Sequence, residues 1–168
     1  EGSASLLPAH VEQIMARFKD EITIKPVLHS WGKGIQINML REPFDDFRIR
    51  MAMHLAMDRD EWVDFNMAAG INGVHRHTLW MPPGSVWALP DEELAEMPGW
   101  RRGQGKIDDI AEANRLVDEA LGAGNRFSFE CFAQNAQIYT DGCLYFQDQM
   151  KRNLGVDVTL SMVESAVQ

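Results

Sequence analysis

The sequence predicts an α/β fold, a mixed sheet flanked by helices, and three observations carry that prediction. Apolar residues recur at helical spacing in several stretches. In others they alternate with polar ones, as on a half-buried strand. The two patterns also take turns along the chain, an order that implies a parallel or mixed sheet with helices on its faces. At 168 residues the chain is long enough for one domain with a real core and too short for two of ordinary size.

Taken in order, Val11, Ile14, Met15 and Phe18 fall at i, i+3, i+4 and i+7, a helix's apolar face, with Pro8 near its start. Ile22 and Ile24, then Ile35, Ile37 and Met39, alternate like two strands separated by a turn at Trp31-Gly32-Lys33-Gly34. Asp45 or Asp46 can cap the next helix, whose buried face is Ile49, Ala52, Met53 and Ala56. Asp58 with Glu61 reads as a capping box that restarts the chain as a helix ending near Gly70. Met51, Met53, Met57 and Met67 cluster here, either as core or as an adaptable groove.

From Gly73 to Gly105 periodicity disappears, and Pro82, Pro83, Pro90 and Pro98 alternate with Trp80, Trp87 and Trp100. So long an irregular stretch inside a domain calls for a functional reason or a covering partner. Asp109 and Glu112 read as a second capping box, ahead of Ala113, Leu116, Val117 and Ala120 and a stop at Gly122 or Gly124. Phe127, Phe129 and Cys131 alternate as a strand. Cys143, Phe146, Met150 and Leu154 form a helix ending at Gly155, and Val156, Val158 and Leu160 form the last strand. Residues 127–132 and 156–161 are therefore expected to be neighbouring parallel strands joined through the helix near 141–153.

Composition excludes several classes. The net charge of −9 argues against a nucleic-acid partner, which would need clustered Lys and Arg. No apolar run approaches the ~18 residues that span a bilayer. No charged n-region followed by an apolar h-region opens the sequence, so any secretion signal is expected upstream or already removed. Cys131 and Cys143 are too few for a disulfide framework and read as two buried free thiols, although a strand and the following helix can bring such positions close.

One stretch is more specific than all of this. Asn38 to Arg59 reads N-M-L-R-E-P-F-D-D-F-R-I-R-M-A-M-H-L-A-M-D-R. It resembles the segment shared by extracytoplasmic solute-binding proteins of ABC importers, family 5, the peptide, opine and nickel-binding group. Asn38, Pro43, Phe44, Asp45, Asp46, Arg48, Arg50, Ala52, Ala56, Asp58 and Arg59 follow that family's order and spacing, eleven positions within 22 residues. The family's usual Gln and Leu are replaced by Met51 and Met53. Lys106 to Gly124 and the Leu154-Gly155-Val156-Asp157-Val158 run resemble later parts of the same family. The resemblance implies a periplasmic-binding-protein-like II fold, with residues 1–168 as a single domain, a partial second lobe of a larger two-lobed protein. It also implies a periplasmic location, a peptide or similar small solute as ligand, and ABC permease subunits as the sole link to the membrane.

Enzyme signatures are absent. His75 and His77 would share a face of an extended segment, but zinc catalysis needs a third protein ligand, and no H-E-x-x-H motif is present. Gly84-Ser85-Val86 does not complete a nucleophile elbow, and Gly70-Ile71-Asn72-Gly73 follows a helix and is no dinucleotide fingerprint. Neither a metal nor a cofactor is expected.

The loop Ala133 to Tyr139 follows a strand's carboxyl end and leads into a helix, where ligands of open α/β sheets bind. Gln134, Asn135 and Tyr139 offer neutral donors and acceptors there, or form a plain polar surface loop. Trp80 and Trp87 either line a ligand cleft or pin the Pro-rich loop. The alternatives to a solute receptor are a small stand-alone metal-dependent enzyme using His75 and His77, or a ligand-sensing domain on the same fold.

Overall fold

A computed structural model describes residues 8–18, 21–25, 34–68, 74–76 and 81–164. Contacts divide the chain into two compact units, Glu1–Gly32 with Asp60–Leu89, and Lys33–Arg59 with Pro90–Gln168.

In the first unit, helix α1 spans Pro8–Phe18 and presents Val11, Ile14 and Met15 as a half-buried stripe, the face their spacing predicts. Helix α3, Arg59–Ala68, buries Asn66, whose Nδ2 donates to Trp62 O at 2.7 Å, while Trp62 and Phe65 stack at 5.9 Å. Asp60 pairs with the buried Arg76 at 3.4 Å. Met67, placed in the Met cluster by sequence, is 59% exposed.

The second unit contains helices α2 (Phe47–Ala56), α4 (Asp91–Leu94), α5 (Gln104–Leu121) and α6 (Gln137–Leu154), with strands β1 (Ser128–Gln134) and β2 (Asp157–Val163). The strands pair in parallel, Ser128 opposite Asp157 through Gln134 opposite Val163, with α6 as the crossover. The expected α/β arrangement and its parallel pair are present. Phe146, Met150 and Leu154 of α6, Val156 just before β2 and Val158 within it meet Ile49, Ala52, Met53, Leu55 and Ala56 of α2 and Ala113 and Val117 of α5 in one core. Fully burying a side chain of the Met150 or Ile49 class contributes about 1.5–3 kcal/mol. Three alanines with no exposed surface, Ala52, Ala56 and Ala113, let α2 and α5 approach closely. Met53 is buried and Met51 and Met57 pack on this core, so these three methionines serve packing. At the end of α6, Gly155 takes φ +69°, its amide bonding Lys151 O and the next amide bonding Met150 O, a left-handed cap that a side chain would strain.

Two expectations fail. Residues 21–25 and 34–38 are irregular and form no ladder, and the turn residues Trp31 to Lys33 lie outside the described residues. Alternation supplies a face, but a strand also needs a partner's hydrogen bonds, and no described segment provides one. Asp109 is no cap either. Helix α5 begins at Gln104, so Asp109 lies in its second turn with no exposed surface.

What Asp109 does explains how α2 can end inside the protein. The last carbonyls of a helix lack intrahelical partners and must be satisfied otherwise. The carbonyl of His54 accepts from Arg59 at 3.3 Å and that of Leu55 from Lys106 at 3.2 Å. Ala56 O accepts from Asn153 at 2.7 Å, and Met57 O from both Lys106 and Arg59, at 2.9 and 3.4 Å. The two cations thus sit at the negative end of the α2 dipole. Asp109 balances them, 3.7 Å from Lys106, bonding Arg101 through Nε at 2.9 Å and accepting from Gly99 N at 2.8 Å. Gly99 O in turn receives Arg59 and Lys106. Burial lowers the Lys106 pKa, and the Asp109 charge opposes that. Gly99 must be glycine: φ is +89°, and a Cβ would meet His54 Nε2 at 2.3 Å.

Replacing Asp109 with Ala strands a buried lysine and the Gly99 amide. A loss of about 3–5 kcal/mol is expected, the cost of breaking a buried pair, seen as a lower urea midpoint of the full-length protein.

His54 provides a pH-dependent element. Its Nε2 donates to Pro98 O at 3.2 Å, and its Nδ1 accepts from Arg59 at 3.2 Å, with Trp100 against its ring at 4.7 Å. A second proton would go on Nδ1, facing the Arg59 guanidinium. Burial first, and Arg59 second, hold its pKa below the usual 6.5. With a depressed folded value, stability is whole above about 6.5 and is lost as pH falls through the window beneath it. His54→Gln is expected to flatten that part of the pH–stability curve, measured by urea unfolding on either side of it.

Candidate functional site

The stretch from Asn38 to Arg59 is where the chain's specificity as a sequence resides, and its side chains turn out to build the unit. Asn38 Oδ1 accepts from Leu40 N at 3.0 Å, turning the chain toward the cis Glu42–Pro43 peptide. Phe44 packs edge-on against Phe127 and Phe129, at 5.9 and 5.1 Å between centroids. Of the two candidate caps, Asp46 is the one used: it accepts from Arg48 N at 2.8 Å. It also grips the Arg48 guanidinium, whose hydrogen bonds hold the Asp46 carboxyl below the ordinary aspartate range. Arg48 then reaches Glu119 O at 2.9 Å and ties the start of α2 to the end of α5. Arg50 closes the turn by donating to Phe44 O and Asp45 O at 2.6 and 2.9 Å. Asp58 N donates to Gln149 Oε1 at 3.0 Å and Asp58 O accepts from Tyr145, so α6 holds both polar groups of the junction. Arg59 lies over Trp100 at 4.4 Å.

The candidate ligand residues gather at the other feature that sequence pointed to, the carboxyl end of β1. Gln134 is the last residue of the strand and Asn135 begins the loop. Asn135 N donates to Val163 O at 2.9 Å, extending the parallel ladder by one rung, and its Nδ2 donates to Glu164 Oε1 at 2.8 Å. Ala136 is the N-cap of α6 and supplies no side-chain cap. Tyr139 stands in the first turn of α6 and is 44% exposed. Gln134, Asn135 and Tyr139 therefore occupy one short strand-to-helix connection, on an accessible rim rather than in the core.

Trp87 belongs to the first unit and is 80% exposed, its amide donating to Ser85 Oγ at 3.2 Å. Trp80 and His77 lie outside the described residues. His75 is half-buried in the first unit, and among the described residues no three His, Cys, Asp or Glu side chains gather as a metal site. An open concavity of about 300 Å³ lies at the opposite end of the strands, lined by Gln147, Asp148, Lys151, Asp157 and Val158. The Lys151–Asp157 ion pair at 2.7 Å spans it, and both residues are largely exposed, so we regard it as a surface dimple.

What this arrangement offers chemically is recognition, with neutral amides and a phenol beside a helix start. Neither Cys131, whose thiol is pushed up to about 11, nor His54, whose two nitrogens bond Pro98 and Arg59, is set up as a nucleophile or base.

Similarity to known proteins bears on this geometry. The chain is 27% identical over 154 residues to the periplasmic oligopeptide-binding protein OppA of Salmonella typhimurium, covering 91% of this chain and 26% of that protein. It is 25% identical over 152 residues to OppA of Escherichia coli K12, covering 89% and 26%. The chain thus spans about a quarter of the length of these curated relatives. Among solved structures, it resembles the Escherichia coli murein tripeptide binding protein MppA at a TM-score of 0.52 and 19% identity, over 77% of this chain and 24% of that one. An unliganded open form of MppA gives a TM-score of 0.53 and 20% identity, over 93% and 28%. At such identity the likeness shows the fold, a periplasmic-binding-protein-like α/β arrangement. Residues 4–168 match the bacterial extracellular solute-binding proteins, family 5 (middle), and the chain belongs to that family.

Proposed function

We propose that this chain is part of the substrate-binding component of an ABC importer, which captures a peptide or similar small solute outside the cytoplasmic membrane and delivers it to the permease. The family match across nearly the whole chain carries the reading. The oligopeptide-binding proteins among its relatives favour a peptide solute and a periplasmic location. No helix among the described residues is long and apolar enough to cross a membrane, in keeping with a protein that meets the membrane through its permease. The protein makes and breaks no covalent bond: it would hold solute between two lobes by hinge closure and release it on docking.

Within this reading, Gln134, Asn135 and Tyr139 contact the solute at the end of β1, and Trp80 and Trp87 supply aromatic lining to the cleft. The exposed positions of Asn135 and Tyr139 support this role, because a ligand can reach them without disturbing the core. Isothermal calorimetry of the full-length protein against short peptides, oligosaccharides and metal chelates tests the solute class. Saturable binding of peptides and of neither other class is expected. Binding of sugars or chelates alone would replace the peptide assignment.

Asn135→Ala tests the loop. It is expected to weaken solute binding by roughly 1–3 kcal/mol, the cost of leaving a buried ligand group unpaired, while folding stability moves by less than about 1 kcal/mol, since the bond to Glu164 is exposed. Unchanged affinity would remove the loop from the site.

A further inference from the structure

Cys131 and Cys143 are not independent buried thiols. Cys131 points to the helix side of β1, alternating with the exposed Glu130 and Phe132, and Cys143 is 6% exposed on the sheet-facing side of α6. The Cys143 side chain is near enough to help burial raise the pKa of the Cys131 thiol. Contacts on either side of the pair show that α6 is docked against the strands there. One layer back along the strand, the Phe129 and Phe146 rings meet at 6.1 Å. Toward the other end of α6, Thr140 Oγ1 lies 4.0 Å from Met162 Sδ of β2. Stepping two residues forward on the strand and three back on the helix, from Phe129–Phe146 to Cys131–Cys143, advances each element by a similar length, about 6.6 and 4.5 Å. The facing pair therefore follows from the docking of α6 itself.

We propose that Cys131 and Cys143 form a disulfide when the protein is exposed to a thiol–disulfide oxidant. The reaction is two successive exchanges. One cysteine thiolate attacks the oxidant's S–S bond and expels a thiol, giving a mixed disulfide. The second cysteine then attacks that sulfur, closes Cys131–Cys143 and expels the oxidant's other thiol. The two cysteines are oxidised, the oxidant's disulfide is reduced, and the two cysteine protons end on the two released thiols. Facing positions on a docked strand and helix need side-chain rotation and small backbone shifts to bring the sulfurs to bonding distance. Burial and the neighbouring Cys143 push the Cys131 thiol up to about 11, so its thiolate is scarce at neutral pH and closure is expected to speed up as pH rises.

The crosslink would close a ring of 13 residues, from Cys131 to Cys143, that contains all of Gln134, Asn135 and Tyr139. It would clamp the connection read above as the solute rim, narrowing the conformations that loop must give up on binding. Pairing itself does not rest on that reading.

The experiment oxidises the full-length protein with oxidised glutathione at mildly alkaline pH, denatures it, alkylates it, and maps its peptides by mass spectrometry. In-vitro oxidation makes the outcome independent of cellular location, and denaturation exposes buried thiols to the alkylating reagent. One crosslinked Cys131–Cys143 peptide, lighter by two hydrogens and split by dithiothreitol, is expected. The oxidised form should melt roughly 5 °C above the reduced form, the scale for a short loop closed in a folded domain, and Cys143→Ala should abolish that difference. Full alkylation of both cysteines after oxidation, or crosslinking of either to another partner, would overturn the proposal. A crosslink without any melting difference would overturn the clamp.

Discussion

The larger unit depends on burying the carboxyl end of α2, with its exposed carbonyls and partial negative charge, against α5 and the segment at Gly99. A helix end placed there demands donors, and three residues distant from one another in sequence supply them, Arg59, Lys106 and Asn153, while Asp109 balances the Lys106 charge. Leaving even one buried carbonyl unpaired costs about 1–3 kcal/mol, so several would match the entire margin of an ordinary domain. The same cluster fixes the irregular segment around Pro98 to Arg101, because Gly99 gives both its amide and its carbonyl to it. A stretch that looked structureless in sequence is ordered by the helix end it covers.

This has a consequence for the family's recurring stretch. Asp46, Arg48, Arg50, Asp58 and Arg59 all satisfy backbone groups or one another, and Ala52 and Ala56 allow the close approach of α5. The residues that make the family recognisable are those that make its fold, which is why the sequence points firmly to the family and weakly to a solute. A ligand-facing residue is answerable to the ligand, and the ligand is not written in the chain that binds it.

How much was legible follows the range of the interactions. Local patterns placed α1, α2, α6, the parallel β1–β2 pair and the Gly155 stop, since periodicity and a left-handed cap are decided within a few residues. Asp109 was misread as a cap because Asp109 and Glu112 have the spacing of one, and the signal against it, Lys106 at i−3 and Arg101 eight residues before, makes sense only beside a helix end some fifty residues earlier. The alternation at Ile22–Ile24 and Ile35–Met39 likewise describes a face without saying what would pair with it. At the candidate site, the strand-end rule located Gln134, Asn135 and Tyr139 together. It did not anticipate the Asn135–Glu164 bond, which joins the loop to the residue just past the carboxyl end of β2.

The anchor and the candidate rim occupy different parts of the unit, and they differ in how tightly they are held. Around Lys106 and Asp109 nearly every polar atom is buried and bonded, so a substitution there is felt as lost folding energy. The Gln134–Tyr139 connection includes the last rung of a ladder, an exposed bond from Asn135 to Glu164 and a helix start without a side-chain cap. Little folding energy is stored there, so side chains can be exchanged without unfolding what lies beneath. That division fits the proposed role, in which side chains at the strand ends change while the helix-end anchor holds the fold.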